Sequence, residues 1–283
     1  MDTTNLAERL RDALPDPVAE RLGPAYRRAR RSWQWRTCGA SLALERLPED
    51  ACPRPVAEHR SVMLRALAGV DPQLQRNKVV NLRLATATLD GLVLRPGQRL
   101  SFWRHVGNPS ARRGYLPGVV LVDGRLQAGV GGGLCQLTNL LHWMTLHTEL
   151  TVVERWRHSY DVFPDAGRTV PFASGATCAW PSLDLQVENR TAASYRLSVG
   201  VGDTDLEGAW TSDVAPTRHY LVYEAAHLIT NDAPGVHTRR NVLRRKVYDS
   251  AGRELDDELV AHNHALMRYD PVLGAGPVRI PLP

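Results

Sequence analysis

The 283 residues are 43% hydrophobic and 23% charged, the balance of a globular chain with enough apolar material for a core, which excludes a disordered protein. No eighteen apolar residues run together, and MDTTNLAERLRDALPD lacks the basic-then-apolar order of a secretory signal, so a cytoplasmic protein is expected. The formal charge of +5 is uneven: YRRARRSWQWR holds Arg27, Arg28, Arg30, Arg31 and Arg36 without an acid, yet no nucleic-acid module surrounds it and no specific nucleic-acid binding is expected.

Residues 4–72 read as helical, with Leu6, Leu10, Ala13 and Leu14 at helical spacing, a break at PDP, and a second helix from Val18 through the arginine run. The arginines, with Trp33 and Trp35, form either a solvated helix face or a peripheral contact for an anionic membrane surface. A further helix is expected after Pro55, with Val62, Leu64, Leu67 and Val70 as its apolar positions. From about residue 77 short β-rich runs take over, separated by turn signals at LDG (89–91), RPGQ (95–98) and VDGR (122–125). SFWRH (101–105) reads as a strand whose Phe102 and Trp103 serve packing. One helix, 134–148, interrupts the strands, and TVVERWRHSY, LDLQVEN, SYRLSVGV, HYLVYEA and NVLRRKVYD follow with strand character. The fold class is therefore α+β. A helical N-terminal region (1–72) precedes a mostly antiparallel β core (73–200) whose one central helix carries GGGLCQ, and a β-rich C-terminal extension (201–283) packs on that core.

The four cysteines, Cys38, Cys52, Cys135 and Cys178, are too scattered for a disulfide framework, and none sits in a CxxC pair, so a structural cysteine-zinc site is not expected. Cys38 and Cys52 read as free thiols in a reducing compartment. On a helical wheel Leu137, Leu140, Leu141, Met144 and Thr148 fall on one side, whereas Cys135, Asn139, His142 and Leu146 fall on the other. A thiol in the first turn meets the positive end of the helix dipole, which favours thiolate. Gly131, Gly132 and Gly133 would let backbone amides approach a substrate oxygen, as an oxyanion hole requires. The competing reading of Cys135 is a small residue at the end of a tight turn.

A cysteine nucleophile needs a base. His142 lies seven residues on, roughly 10 Å along the axis, too far for a direct hydrogen bond. His158 is preferred, because alternation in TVVERWRHSY places Val152, Glu154, Trp156, His158 and Tyr160 on one strand face, with Arg155 and Arg157 on the opposite, solvated one. Asp184 or Asp161 could orient that imidazole, Asp184 being preferred. Gln136 could supply an oxyanion donor or only cap the helix, and Asn139 shares the cysteine's face as a substrate contact. Gly107, Gly114 and Gly118 mark turns with no phosphate-binding spacing, and no cofactor is expected.

NKVVNLRLATATLDGLVLRPGQRLSFWRHVGNP, GYLPGVVLVDGRLQAGVGGGLCQLTNLLHW, ERWRHSYDVFPDAGRTVPFASGATC and DLQVEN together resemble the VanW family, named for an accessory gene of vancomycin-resistance clusters. The likeness runs from about residue 20 to HNHALMRYD (262–270), and GGGLCQ followed by RHS is its specific combination. The resemblance implies a context, cell-wall peptide metabolism and glycopeptide resistance with a wall peptide or precursor as partner, more than a mechanism. Its motif residues fall on Cys135, Gln136 and His158. Many relatives carry a membrane anchor and extra domains that are missing here, so the resemblance implies the cytoplasmic side, where precursors are made.

Three functions compete. The first is a cysteine-dependent acyl hydrolase or transferase acting on a peptide or amide through Cys135 and His158. The second is a non-catalytic binding or accessory module for a peptidoglycan precursor or partner protein. The third, a zinc peptidase, would use His158 with Asp165 and, from YEAAH, Glu224 with His227, although the residues flanking that peptidase motif are absent.

Overall fold

A computed structural model describes residues 16–64, 70–162 and 169–271. Leu6, Leu10, Ala13, Leu14 and Leu67, assigned to helices above, lie outside those residues. Helix α1 (Asp16–Thr37) carries the arginine run and has Pro24 within it. After strand β1 (Ser41–Leu42), the helix expected beyond Pro55 is instead strand β2 (Arg54–Val62). Its His59, Arg60, Ser61 and Val62 alternate between half-buried and exposed, the period of a strand. Pro55 is tolerated because β2 is a sheet edge, and the register slips opposite it between Trp210 and Thr211.

The next element also departs from expectation. Pro72–Thr86 is a helix, α2, where β texture was read from residue 77. Asp71 caps it, accepting from Gln73 N at 2.8 Å, and Pro72 occupies the first turn. Strands β3 (Val93–Leu94) and β4 (Gln98–Ser101) follow, and then Phe102–Val106 forms a short helix, α3, in place of the strand expected at SFWRH. Ser101 terminates β4 and caps α3 through Arg104 N, so one hydroxyl ends the strand and starts the helix.

Strands β5 (Pro117–Val122) and β6 (Arg125–Val130) form a hairpin closed by Asp123 and Gly124, both at positive φ, as the VDGR signal predicts. Helix α4 (Cys135–Leu146) begins directly after the glycine turn. The remaining strands are β7 (Thr151–Glu154), β8 (Tyr160–Asp161), β9 (Gln186–Glu188), β10 (Tyr195–Val201), β11 (Asp205–Ser212), β12 (Arg218–Ala233), β13 (Val236–Asp249) and β14 (Glu254–Met267).

They build sheets in the orders β1-β4-β9-β7, β2-β11-β10-β3 and β12-β13-β14-β8, besides the β5-β6 hairpin. Pairing is antiparallel except for β1 with β4 and β8 with β14, so the protein is α+β with mostly antiparallel sheets. Leu137, Leu140, Leu141 and Met144 of α4 are buried in the core with Trp210, Leu206 and Leu197. Gly208 permits that approach: a Cβ there would lie 2.8 Å from Met144 Cε. The C-terminal sheet reaches the end of α4, where Arg245 Nη1 donates to Leu146 O at 3.2 Å and Thr148 O at 3.3 Å.

Candidate active site around Cys135

The glycine turn is dictated by what surrounds it. A Cβ on Gly132 would sit 2.2 Å from the backbone carbon of Gly118, so the two chains meet where no side chain fits. Gly133 has φ +93°, and a Cβ there would strike the Lys78 side chain at 2.1 Å. Asn81 of α2 fastens the turn, donating to Gly132 O at 2.9 Å and Leu116 O at 3.0 Å while accepting from Leu116 N at 2.8 Å. The amides of Gly131 and Gly132 donate at 3.0 Å to Leu116 O and Gly129 O, so they do not form the oxyanion site expected of them. The remaining amides of the turn, those of Gly133, Leu134 and Cys135, stand at the positive end of α4.

The face of α4 opposite the core is covered by residues 174–178. Thr138 Oγ1 donates to Ala176 O at 2.6 Å, and Asn139 Oδ1 accepts from Ala176 N at 2.8 Å, so the amide placed among substrate contacts holds backbone. His142 Nδ1 meets Ser174 O at 2.7 Å. Burial pushes its imidazole down to about 3, so the ring is neutral and the carbonyl selects the tautomer with Nδ1–H.

The same segment holds the residues around His158. Thr177 N donates to Trp156 O at 2.8 Å, and Arg155 donates to Gly175 O at 2.8 Å and to Ala173 O. Arg155 is therefore not solvated as expected, and burial lowers its guanidinium to about 10. Arg157 likewise donates to His264 O. Strand β7 stops at Glu154, so His158 sits in the coil before β8 and not on the alternating strand face.

These ties bring Cys135 and His158 together, with Cys178, to which the sequence assigned no role. The Cys135 sulfur is 3.6 Å from Cys178 O and 3.8 Å from Cys178 Sγ. All four cysteines among the described residues are free, and these two are half-buried. A hydrogen bond from the Cys178 thiol pulls the Cys135 thiol well below its ordinary range; burial opposes this, and the hydrogen bond and charge of His158 reinforce it. Cys178 moves the other way, raised by burial first and by the neighbouring Cys135 second. The contact favours the thiolate on Cys135 and the thiol on Cys178, which donates to it.

Asp184 is bonded elsewhere than to the imidazole it was expected to orient. Its carboxylate accepts from Ser101 Oγ at 2.6 Å, Trp103 N at 3.0 Å and Gln186 Nε2 at 3.2 Å, and lies 3.8 Å from Arg31 Nη1. Burial outweighs these donors and raises Asp184 from 3.8 to about 6. Across that window the native chain binds more protons than the unfolded one, so Asp184 makes stability fall as pH rises from 3.8 to 6. The effect is on the order of 3 kcal/mol. Urea unfolding of wild type and Asp184→Asn between pH 4 and 6.5 is expected to show wild type gaining on the variant towards acid. A constant difference overturns this.

Asp161, the other orienter considered, is buried in β8 with Arg239 Nη1 at 3.2 Å and Tyr269 Oη at 2.9 Å. Gln136 Nε2 donates to Ser61 Oγ and Val62 O, both at 2.9 Å, which fastens α4 to β2 and leaves its carbonyl oxygen as the end not bonded there. Of the zinc set, Asp165 lies outside the described residues. His227 has Glu224 Oε2 3.3 Å from Nδ1 and Arg239 Nε donating to Nε2 at 3.0 Å, so both its nitrogens are engaged. No group of three His, Cys, Asp or Glu side chains suited to a metal occurs among the described residues.

The arginine run divides by face. Arg31 is buried, and Trp35 packs on Trp180 at 6.2 Å with Nε1 donating to Ser101 Oγ at 2.9 Å, so neither belongs to a membrane-facing surface. Arg27, Arg28, Arg30 and Trp33 are exposed. Among the described residues no helix is long and apolar enough to cross a membrane.

The family model described as VanW like protein matches residues 77–211, a span that includes Cys135, His158, Cys178 and Asp184. Vancomycin B-type resistance protein VanW of Enterococcus faecalis is 33% identical over 201 residues, covering 71% of this chain and 73% of that protein. Uncharacterized protein YoaR of Bacillus subtilis is 31% identical over 110 residues, 39% of this chain and 35% of its own length. No solved structure matches. The chain belongs to the VanW-like protein family.

Proposed function

We propose that the chain is a cysteine-dependent acyl hydrolase or transferase acting on a peptide or amide, in the vancomycin-resistance setting that its relative's name carries. The observation that carries this reading is the sulfur of Cys135 at the start of α4, 3.8 Å from Cys178 Sγ, with the Cys178 thiol and His158 placed to favour its thiolate. Cys135 Sγ attacks the carbonyl carbon, and the amides of Gly133, Leu134 and Cys135 receive the oxygen as it becomes negative. His158 passes a proton to the departing amine, and an incoming water or amine, relieved of its own proton by His158, then releases the acyl group. The exposed Arg27, Arg28, Arg30 and Trp33 suit a contact with an anionic headgroup on the cytoplasmic face of the membrane, where wall precursors are lipid-linked.

The test is capture of the acyl group. Activated amides of short wall-type peptides are incubated with wild type, His158→Ala and Cys135→Ser, and the peptides of the quenched protein are weighed. An acyl increment on the Cys135 peptide, absent in Cys135→Ser, supports the reading. Peptides that bind wild type and Cys135→Ser equally and leave no increment assign the chain to binding instead.

A further inference from the structure

Cys178 gives the acyl chemistry a hydrogen bond, but its sulfur, 3.8 Å from that of Cys135, is placed for more than that. We propose that Cys135 and Cys178 form a dithiol site that exchanges with small disulfides, Cys135 attacking and Cys178 resolving, so that an intramolecular disulfide closes the site and a small thiol reopens it. This goes beyond the acyl reading: it needs a reactive Cys135 and no acyl substrate.

The two sulfurs stand on separate segments locked in register next to the pair. Thr138 and Asn139 hold Ala176 at 2.6 and 2.8 Å, two residues before Cys178 and three or four after Cys135. Bond formation therefore needs the sulfurs to close by only about 2 Å. Cys52, by contrast, is 1% exposed, and the Cys38 sulfur is 3.2 Å from Ala40 O.

The exchange balances in two steps. The Cys135 thiolate attacks one sulfur of R–S–S–R, forming Cys135–S–S–R and expelling R–S⁻. Cys178 then attacks the Cys135 sulfur, the bond to R breaks, and a second R–S⁻ leaves. The Cys178 proton passes to a departing thiolate, with His158 beside the sulfurs as the carrier. The protein loses two electrons, and the small disulfide gains them, leaving as one thiol and one thiolate, which takes its proton from water. The order is built in: once Cys135 is bonded to R its charge is gone, and with it the neighbouring charge and hydrogen bond that help keep Cys178 protonated.

The full chain is treated at neutral pH with oxidised glutathione and, in parallel, with the smaller hydroxyethyl disulfide, and is mapped by mass without reductant. Wild type is expected to give a transient adduct on Cys135, then a Cys135–Cys178 cross-link two hydrogens lighter. Iodoacetamide labelling of Cys135 is lost with the cross-link and restored by reduced glutathione. In Cys178→Ser the adduct on Cys135 persists about tenfold longer or more. An adduct as long-lived in wild type as in Cys178→Ser, or a cross-link through Cys38 or Cys52, overturns the dithiol. If iodoacetamide labels Cys135 while neither disulfide adds to it, the exchange alone is overturned. A Cys135 that reacts with none of the three reagents overturns both this proposal and the acyl reading.

Discussion

Alkylation of Cys135 by iodoacetamide is expected to reach its full rate well below the free-thiol pKa of about 8.5, and Cys178→Ala is expected to move that plateau further than His158→Ala does. The ranking follows from the site. The hydrogen bond from Cys178 is the largest cause of the lowered Cys135 thiol, and the His158 hydrogen bond and charge come after it, behind the opposing effect of burial. Each unit by which the midpoint rises removes about tenfold of the rate at a fixed pH below it. Cys178→Ser, which keeps a hydroxyl donor, is expected to fall between wild type and Cys178→Ala. The readout is the pH–rate profile of the Cys135 peptide, with Cys52, whose thiol burial pushes up, as an internal reference. A profile at the free-thiol position, indifferent to both substitutions, overturns the coupled thiolate and leaves the sulfur as packing. A larger shift in His158→Ala than in Cys178→Ala reverses the assignment of the principal donor.

Part of this site is legible in the sequence. Four glycines before a cysteine that opens an apolar helix announce a close backbone approach and a helix terminus, and both are present. Cys178 is hidden because the residues that bring it to Cys135, 43 positions away, are Thr138, Asn139 and Arg155, which bind backbone carbonyls and amides that no side-chain pattern records. The oxyanion assignment misjudged Gly131 and Gly132 for the same reason: their amides are consumed by Leu116 O and Gly129 O, and hairpin closure decides that. In the fold, SYRLSVGV, HYLVYEA and NVLRRKVYD read as strands and lie in β10, β12 and β13, whereas β11 and β14 have no counterpart in that reading. The region 54–86 was inverted. There the apolar spacing Val56, Val62, Leu64 admits either period, while the signal that did discriminate, Asp71 followed by Pro72, marks the start of a helix.

The arginine run illustrates how charge count misleads when one member is an anchor. Arg31 is 4% exposed, and its guanidinium spends itself on four acceptors: Glu154 Oε2 at 2.6 Å, Glu154 Oε1 and Pro181 O at 2.8 Å, and Ser182 O at 2.6 Å. Glu154 in turn accepts from Trp156 Nε1 and Gln186 Nε2 at 2.8 Å and from Asp184 N at 3.2 Å. Helix α1 is thus tied to the end of β7 and to the segment that follows Cys178, the two strands of chain that frame the site.

Arg31→Ala is expected to cost about 3–5 kcal/mol, because it leaves two carboxyl groups facing a gap with no cation. Arg31→Lys is expected to recover little, since an ammonium cannot reproduce the two-pronged contact or reach both carbonyls together. Neutralising the abandoned acid is the sharper test. Arg31→Ala with Glu154→Gln is expected to cost less than the two single changes summed, by about 1–3 kcal/mol, in urea unfolding at pH 7. Arg30→Ala, on the exposed side of the same helix, is expected to stay within about 0.5 kcal/mol. An Arg31→Ala penalty as small as that of Arg30→Ala would mean that α1 does not anchor the site. A large penalty that Glu154→Gln leaves undiminished would place its origin in the lost carbonyl contacts, and not in the ion pair.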